Sequence, residues 1–231
     1  MNKKKLSLII ITIVIICSSF FIIMANKKDD KYSSTYYNLG TINEITLYNI
    51  NKNEGDRILK NCESILTDID NKMSCQISTS EISKINENAG IDYVQVSDDT
   101  YYVIKESINF SKMSNDTFDI TIGPIIDLWA IGTDNAKVPI KDEIIDKLSL
   151  VNYKNILFND DNKSIKLAKK NMKIDLGGIA KGYAADKIYK YLKEDENLEN
   201  ALINLGGNIC ILGNKEKNQP FSIGIQDPTK P

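Results

Sequence analysis

The chain has 231 residues, 42% of them apolar and 26% charged, a globular composition with enough length for one sizeable core. Its 29 basic and 31 acidic residues leave a net charge of -2, so no basic excess exists to neutralise a phosphate backbone, and nucleic acid is not an expected partner. Histidine is absent, which excludes a Ser-His-Asp triad, a histidine base and a histidine-ligated metal within these residues.

Lys3, Lys4 and Lys5 precede an uncharged run from Leu6 to Ala25. At about 1.5 Å per residue this run matches a hydrocarbon core of about 30 Å. The lysines hold its start in the cytoplasm, which places the residues beyond Ala25 at the extracytoplasmic face of the cell membrane. An uncleaved signal anchor, a signal peptide cut after Ala25 and a lipoprotein acylated at Cys17 are all compatible with that placement. The expected organisation is residues 1–25 as anchor or signal, 26–38 as a polar tether, and 39–231 as one α+β domain. The cysteines, Cys17, Cys62, Cys75 and Cys210, lack CxxC spacing, so zinc is not expected and buried free thiols are.

Alternation over residues 41–50 predicts a strand. The stripe Ile58, Cys62, Ile65, Ile69, Met73 predicts a helix over 54–73. The Ser78–Glu81 spacing of a capping box predicts a helix starting near Ser80. Next come a short strand over 93–96 and a helix over 99–114. Residues 155–158, 164–168 and 172–176 read as short strands, Gly177 to Tyr191 as a glycine-led turn opening a helix, and 200–204, 208–212 and 221–226 as closing strands. The irregular interleaving fits an α+β domain better than a doubly wound sheet.

Four segments suggest chemistry. In KIDLGGIAKGYAADKI, Lys173 to Ile188, an apolar run ends at Asp175. Gly177 and Gly178 then turn the chain into a helix whose amides and positive dipole end, with Lys181, could cradle a pyrophosphate; a purely structural turn is the alternative. In TFDITIGPIIDLWAIG, Thr117 to Gly132, Asp119 sits among apolar residues and must accept defined hydrogen bonds, while a core strand and turn packed by Trp129 is the plain reading. ALINLGGNI, Ala201 to Ile209, is at least a hairpin, and MSCQISTSEISKIN, Met73 to Asn86, at least a loop and a capped helix. Spacing assigns no chemistry to FSIGIQDP, Phe221 to Pro228.

Taken together, these five segments resemble the ApbE family of FAD:protein FMN transferases over Leu39 to Pro231, and FDITIGPIIDLW, DLGGIAKGYAAD and INLGGN, in that order along the chain, are the most specific pieces. The resemblance implies a single T-fold-related α+β domain with a central flavin site. It implies Mg²⁺-dependent cleavage of FAD at the pyrophosphate, transfer of FMN to a Thr or Ser hydroxyl of a membrane redox partner, and release of AMP. Members that hydrolyse FAD to FMN and AMP, and a non-catalytic flavin-binding module, are the alternatives. On this resemblance Asp175 and Lys181 contact FAD and carry the catalytic roles, and Gly178 offers a metal ligand through its carbonyl. Thr117, Phe118 and Asp119 line the flavin site. Leu39 replaces the Met of many members' MGT motif, and Gln76 replaces the aromatic residue that many carry after MS. The family pattern continues with a His-containing segment and a late Asp and Thr at the metal. None of these occurs here, so the domain is expected to be incomplete at its C-terminus.

Overall fold

The computed structural model of the protein describes residues 29–215 and 219–229. The apolar run at 6–25 lies outside them. Among the described residues no helix is long and apolar enough to cross a membrane.

The segment expected to be a tether is a strand over most of its length. β1 (Asp29–Asn38) pairs antiparallel with β2 (Thr41–Ile50), from Asp29 opposite Ile50 to Asn38 opposite Thr41. Its Tyr, Ser and Thr content is compatible with an edge strand, where one face needs no apolar residues. Leu39 and Gly40 join the two strands, both at positive φ (54° and 68°), the geometry of a two-residue hairpin loop whose twist matches the strands. β6 (Ala201–Leu205) pairs with β2, and β7 (Asn208–Leu212) with β6, completing an antiparallel sheet of order β1-β2-β6-β7.

One face of this sheet buries Ile45, Leu47, Ala201, Ile203 and Leu205. Against it pack α1 (Lys52–Met73) and α6 (Ala180–Lys190). Asn51 caps α1 by accepting from the Glu54 amide at 3.0 Å. The apolar stripe of α1 buries Ile58, Leu59, Cys62, Leu66, Ile69 and Met73, with Ile65 only half-buried, so the stripe is centred slightly off the expected one.

A second, smaller sheet has the order β3-β5-β4, from β3 (Val94–Gln95), β4 (Ile156–Asn159) and β5 (Ser164–Leu167). Helix α2 (Glu81–Glu87) is capped by Ser80, whose side chain accepts from the Ser83 amide at 3.0 Å. Glu81 does not complete a capping box; it accepts from the Ser97 amide and hydroxyl at 2.9 and 2.8 Å, tying α2 to the start of α3 (Asp98–Met113).

Three further expectations are corrected. The plain reading of Thr117–Gly132 as a core strand and turn does not hold: Gly123 and Pro124 open a helix, α4 (Gly123–Trp129), where proline's missing N–H and fixed φ suit the first turn. A fifth helix, α5 (Lys141–Leu148), was not anticipated; it buries none of its residues, so its apolar periodicity answers to no core. Residues 172–176 form no ladder beyond an isolated bridge between Ile122 and Lys173, and 221–226 are not a strand.

Candidate functional site

The Asp175–Lys181 turn is built from its own side chains. The Asp175 amide donates to the Ile120 carbonyl at 2.8 Å, and the Asp175 Oδ1 accepts from the Gly177 amide at 2.8 Å, closing a side-chain turn. A Cβ on Gly177 would lie 2.9 Å from that oxygen, and one on Gly178 would lie 3.0 Å from Phe118 Cε2. Neither glycine is in the left-handed region. They are there for room rather than for conformation, which the sequence pattern alone does not distinguish. Helix α6 then starts without a side-chain cap; the Ile179 and Ala180 amides donate to the Leu176 carbonyl at 2.9 and 2.8 Å, so the amides its start can offer a ligand are those of Lys181 and Gly182. The Lys181 Nζ folds back to donate to the Gly177 carbonyl at 2.9 Å.

Two clefts meet at this turn. The larger, about 610 Å³, is walled by the aromatic rings of Tyr102, Phe110, Phe118 and Tyr183, with Asp186 and Asn208. The smaller, about 140 Å³, is lined by Leu39, Cys75, Gln76 and Asp175 among others. Gly177 and Lys181 line both. The larger volume is within the usual range of small-molecule sites, and its mix of apolar walls with a few polar groups is their usual character.

The structure thus brings Leu39, Gln76, Asp175 and Lys181 together at the smaller cleft, and Phe118, Gly178 and Lys181 at the larger. Thr117 and Asp119 line neither. The Thr117 hydroxyl donates to the Ser114 carbonyl at 2.8 Å. Both Asp119 oxygens are engaged, Oδ1 by the Thr121 amide (2.8 Å) and hydroxyl (2.7 Å) and Oδ2 by the Tyr153 amide (2.9 Å). The expected hydrogen bonds are therefore there, and they brace two loops.

Tyr102, Phe110 and Tyr183 were missed by sequence reasoning. Their signal was modest: Tyr102, Glu106 and Phe110 recur every four residues along α3, on a face different from its buried Val103, Ile104, Ser107 and Ser111. The Tyr102 and Tyr183 rings lie 5.9 Å apart. Behind them, Asp99 accepts from the Tyr183 hydroxyl, from Lys72 Nζ at 3.0 Å and from Lys187 Nζ at 3.2 Å. Burial pushes the Asp99 carboxyl up, but these donors outweigh it and hold the group at about 2. Burial, and then the Asp99 charge, raise the Tyr183 phenol. Burial also lifts the Cys75 thiol to about 12, helped by Asp175, so it stays protonated.

The chemistry available is anion binding at a helix start, where the Lys181 ammonium stands between an aromatic-walled cleft that also carries Glu106 and Asp186 and a smaller cleft that carries Asp175. Among the described residues no cluster of three or more His, Cys, Asp or Glu side chains could hold a metal by itself.

A model of the ApbE family matches residues 39–231. The FAD:protein FMN transferase of Haemophilus influenzae is 30% identical over 172 residues, 72% of this chain and 49% of that protein. The protein of the same name from Klebsiella pneumoniae is 33% identical, over 74% of this chain and 50% of its own length. The chain therefore spans about half the length of these curated relatives. Among solved structures, the ApbE protein of Thermotoga maritima superposes with a TM-score of 0.77 at 34% identity, covering 86% of this chain and 64% of that one. The flavin transferase ApbE of Vibrio cholerae superposes equally well, with a TM-score of 0.77 at 23% identity over 87% of this chain and 65% of its own, which shows the shared fold. The chain belongs to the ApbE family.

Proposed function

We propose that the protein takes part in transferring the FMN portion of FAD to a hydroxyl of a partner protein, with AMP leaving. The observation that carries this reading is the position of Lys181 and the Gly177–Gly178 turn on the divide between an aromatic-walled cleft and a smaller one. A dinucleotide has two flat ring systems joined by a pyrophosphate, and that divide suits the pyrophosphate. The α6 amides and the Lys181 ammonium would hold its oxygens, with Lys181 exchanging the Gly177 carbonyl for a phosphate oxygen. Asp175, already fixed by the Gly177 amide, would orient the ligand or the incoming hydroxyl.

The reading includes Mg²⁺. The turn offers it a hard oxygen donor in the Gly178 carbonyl. That is compatible with an ion which keeps few protein ligands and takes the rest from water and phosphate. Bound there, it would neutralise charge developing on the pyrophosphate. The acceptor in this reading is a Thr or Ser of a membrane redox protein, and the domain works at the extracytoplasmic face, held there by the apolar run at 6–25.

Incubation of the protein with FAD, Mg²⁺ and an acceptor carrying a candidate Thr should add the mass of one FMN to the acceptor. AMP release with no mass gain would replace transfer by FAD hydrolysis. Neither product would overturn the reading.

A further inference from the structure

The segment that delivers Asp175 to the turn is extended, yet it has a main-chain neighbour on one side only. There, the Gly123 amide donates to the Lys173 carbonyl at 3.2 Å and the Asp175 amide to the Ile120 carbonyl at 2.8 Å. On the other side stands a single side chain. Asn86, at the end of α2, accepts from the Ile174 amide at 2.7 Å and donates to the Ile174 carbonyl at 3.0 Å. That is the pair of bonds a neighbouring strand would have supplied, made by one carboxamide 88 residues away in sequence. The Cys75 thiol adds a second bond to the same carbonyl at 3.2 Å. The Ile174 side chain is fully buried, so its backbone groups need partners from within the protein.

We infer that Asn86 is a positioning residue for the site. Its two bonds fix Ile174, Ile174 fixes Asp175, and the Asp175 carboxylate fixes the Gly177 amide that opens the cradle. Asn86 lines neither cleft at the turn, so it acts through the backbone and not on the ligand. The inference rests on the flavin reading above for its ligand, though not for its geometry. Each half of the carboxamide has a distinct task, and this makes the role separable from general packing. Asn86→Asp keeps an acceptor for the Ile174 amide but sets a carboxylate oxygen against the Ile174 carbonyl. Once protonated, the same side chain regains a donor. Lys147, Lys173 and Asp127 share the opening beside Asn86, and Cys75 and Asp175 flank Ile174, so their charges bear on the pH at which that happens.

The test is FAD titration of the full chain, read by quenching of flavin fluorescence, alongside melting temperature. At about pH 7.5, Asn86→Ala and Asn86→Asp should each weaken FAD binding about tenfold or more, the loss expected from two backbone hydrogen bonds. Lowering the pH to about 3.5, below the ordinary aspartate value of about 3.9, should restore binding in Asn86→Asp relative to Asn86→Ala, as the introduced carboxyl gains its proton. An Asn86→Ala affinity within about twofold of the parent, or an Asn86→Asp loss that protonation leaves untouched, overturns the inference. If the parent chain binds no FAD, the flavin reading fails, and amide exchange then decides the clamp on its own. Faster exchange at Ile174 and Gly177 in Asn86→Ala upholds it, and unchanged exchange there overturns it.

Discussion

Gly178→Ala tests the claim that the glycines at the turn provide room. The new methyl would stand 3.0 Å from Phe118 Cε2 and 3.7 Å from Cζ, closer than a carbon–carbon contact tolerates by a few tenths of an ångström. Phe118 is half-buried on a loop, so its ring can give way, but it is also a wall of the larger cleft. The backbone at 178 is not left-handed, so alanine brings no conformational penalty and removes some freedom from the unfolded chain, worth about 0.4–1 kcal/mol in favour of folding. The overlap costs about 1–3 kcal/mol if nothing moves and less if the ring tilts. Stability should therefore change by no more than about 1–2 kcal/mol, a shift of a few degrees in melting temperature. Flavin affinity should fall further, because the displaced ring reshapes the wall. Gly182→Ala is the matched control. It lies inside α6 and lines the same cleft, but its Cβ would meet nothing within 4 Å. Helix propensity predicts a gain of about 1 kcal/mol there. Thermal melts and FAD titrations of both variants decide the matter. If Gly178→Ala binds FAD as well as Gly182→Ala does, the room argument is wrong.

Three other perturbations probe the site, the network behind it and the large sheet. Lys181→Ala should leave the melting temperature nearly unchanged, since the ammonium's partner in the free protein is the Gly177 carbonyl. It should weaken FAD binding about tenfold to a hundredfold, the range for one charge-assisted bond, as measured by titration. Asp99→Asn bears on pH. The folded carboxyl sits at about 2, below its ordinary 3.8, so the stability it contributes is present above about pH 4 and is lost as the pH falls toward 2. Acid melts of the parent should show that loss, and those of the variant should show less of it. A parent and variant that lose stability in parallel would remove Asp99 from the network that holds Tyr183. Gly213→Ala should be severely destabilising, by about 3 kcal/mol or more, because φ is +65° and the new Cβ would fall 1.9 Å from the Glu199 carbonyl oxygen; chemical denaturation reads it directly.

The elements legible in the sequence are those whose periodicity answers to the large sheet. The α1 stripe, the alternation of β2 and the apolar runs of β6 and β7 all bury side chains against one another, so burial wrote the pattern. β1 was hidden because an edge strand satisfies its backbone on one side and can keep a polar face, which makes KYSSTYYN look like linker. α5 was hidden for the opposite reason, since its Ile and Leu residues face no core. The turn itself was readable, because Asp175, the glycines and Lys181 lie within seven residues and each needs its chemistry locally. The cleft walls were not, because Tyr102 and Tyr183 come from helices 81 residues apart and meet only through tertiary packing.

The Ile174 segment shows a limit of a different kind. Its alternation of buried Met172, Ile174 and Leu176 with Lys173 and Asp175 is that of a strand, but half of its pairing is done by the Asn86 carboxamide. No pattern of residues around 172–176 encodes that substitution; the information sits in one asparagine on α2, where the plain expectation is a residue near a helix end. A backbone held by side chains on one side and by main chain on the other is easier to adjust by single substitutions than a fully paired strand. That is a useful property in a segment whose next residues form a binding turn, and it is why Asn86, rather than any residue of the clefts, is the position through which affinity could be tuned without altering what the ligand touches.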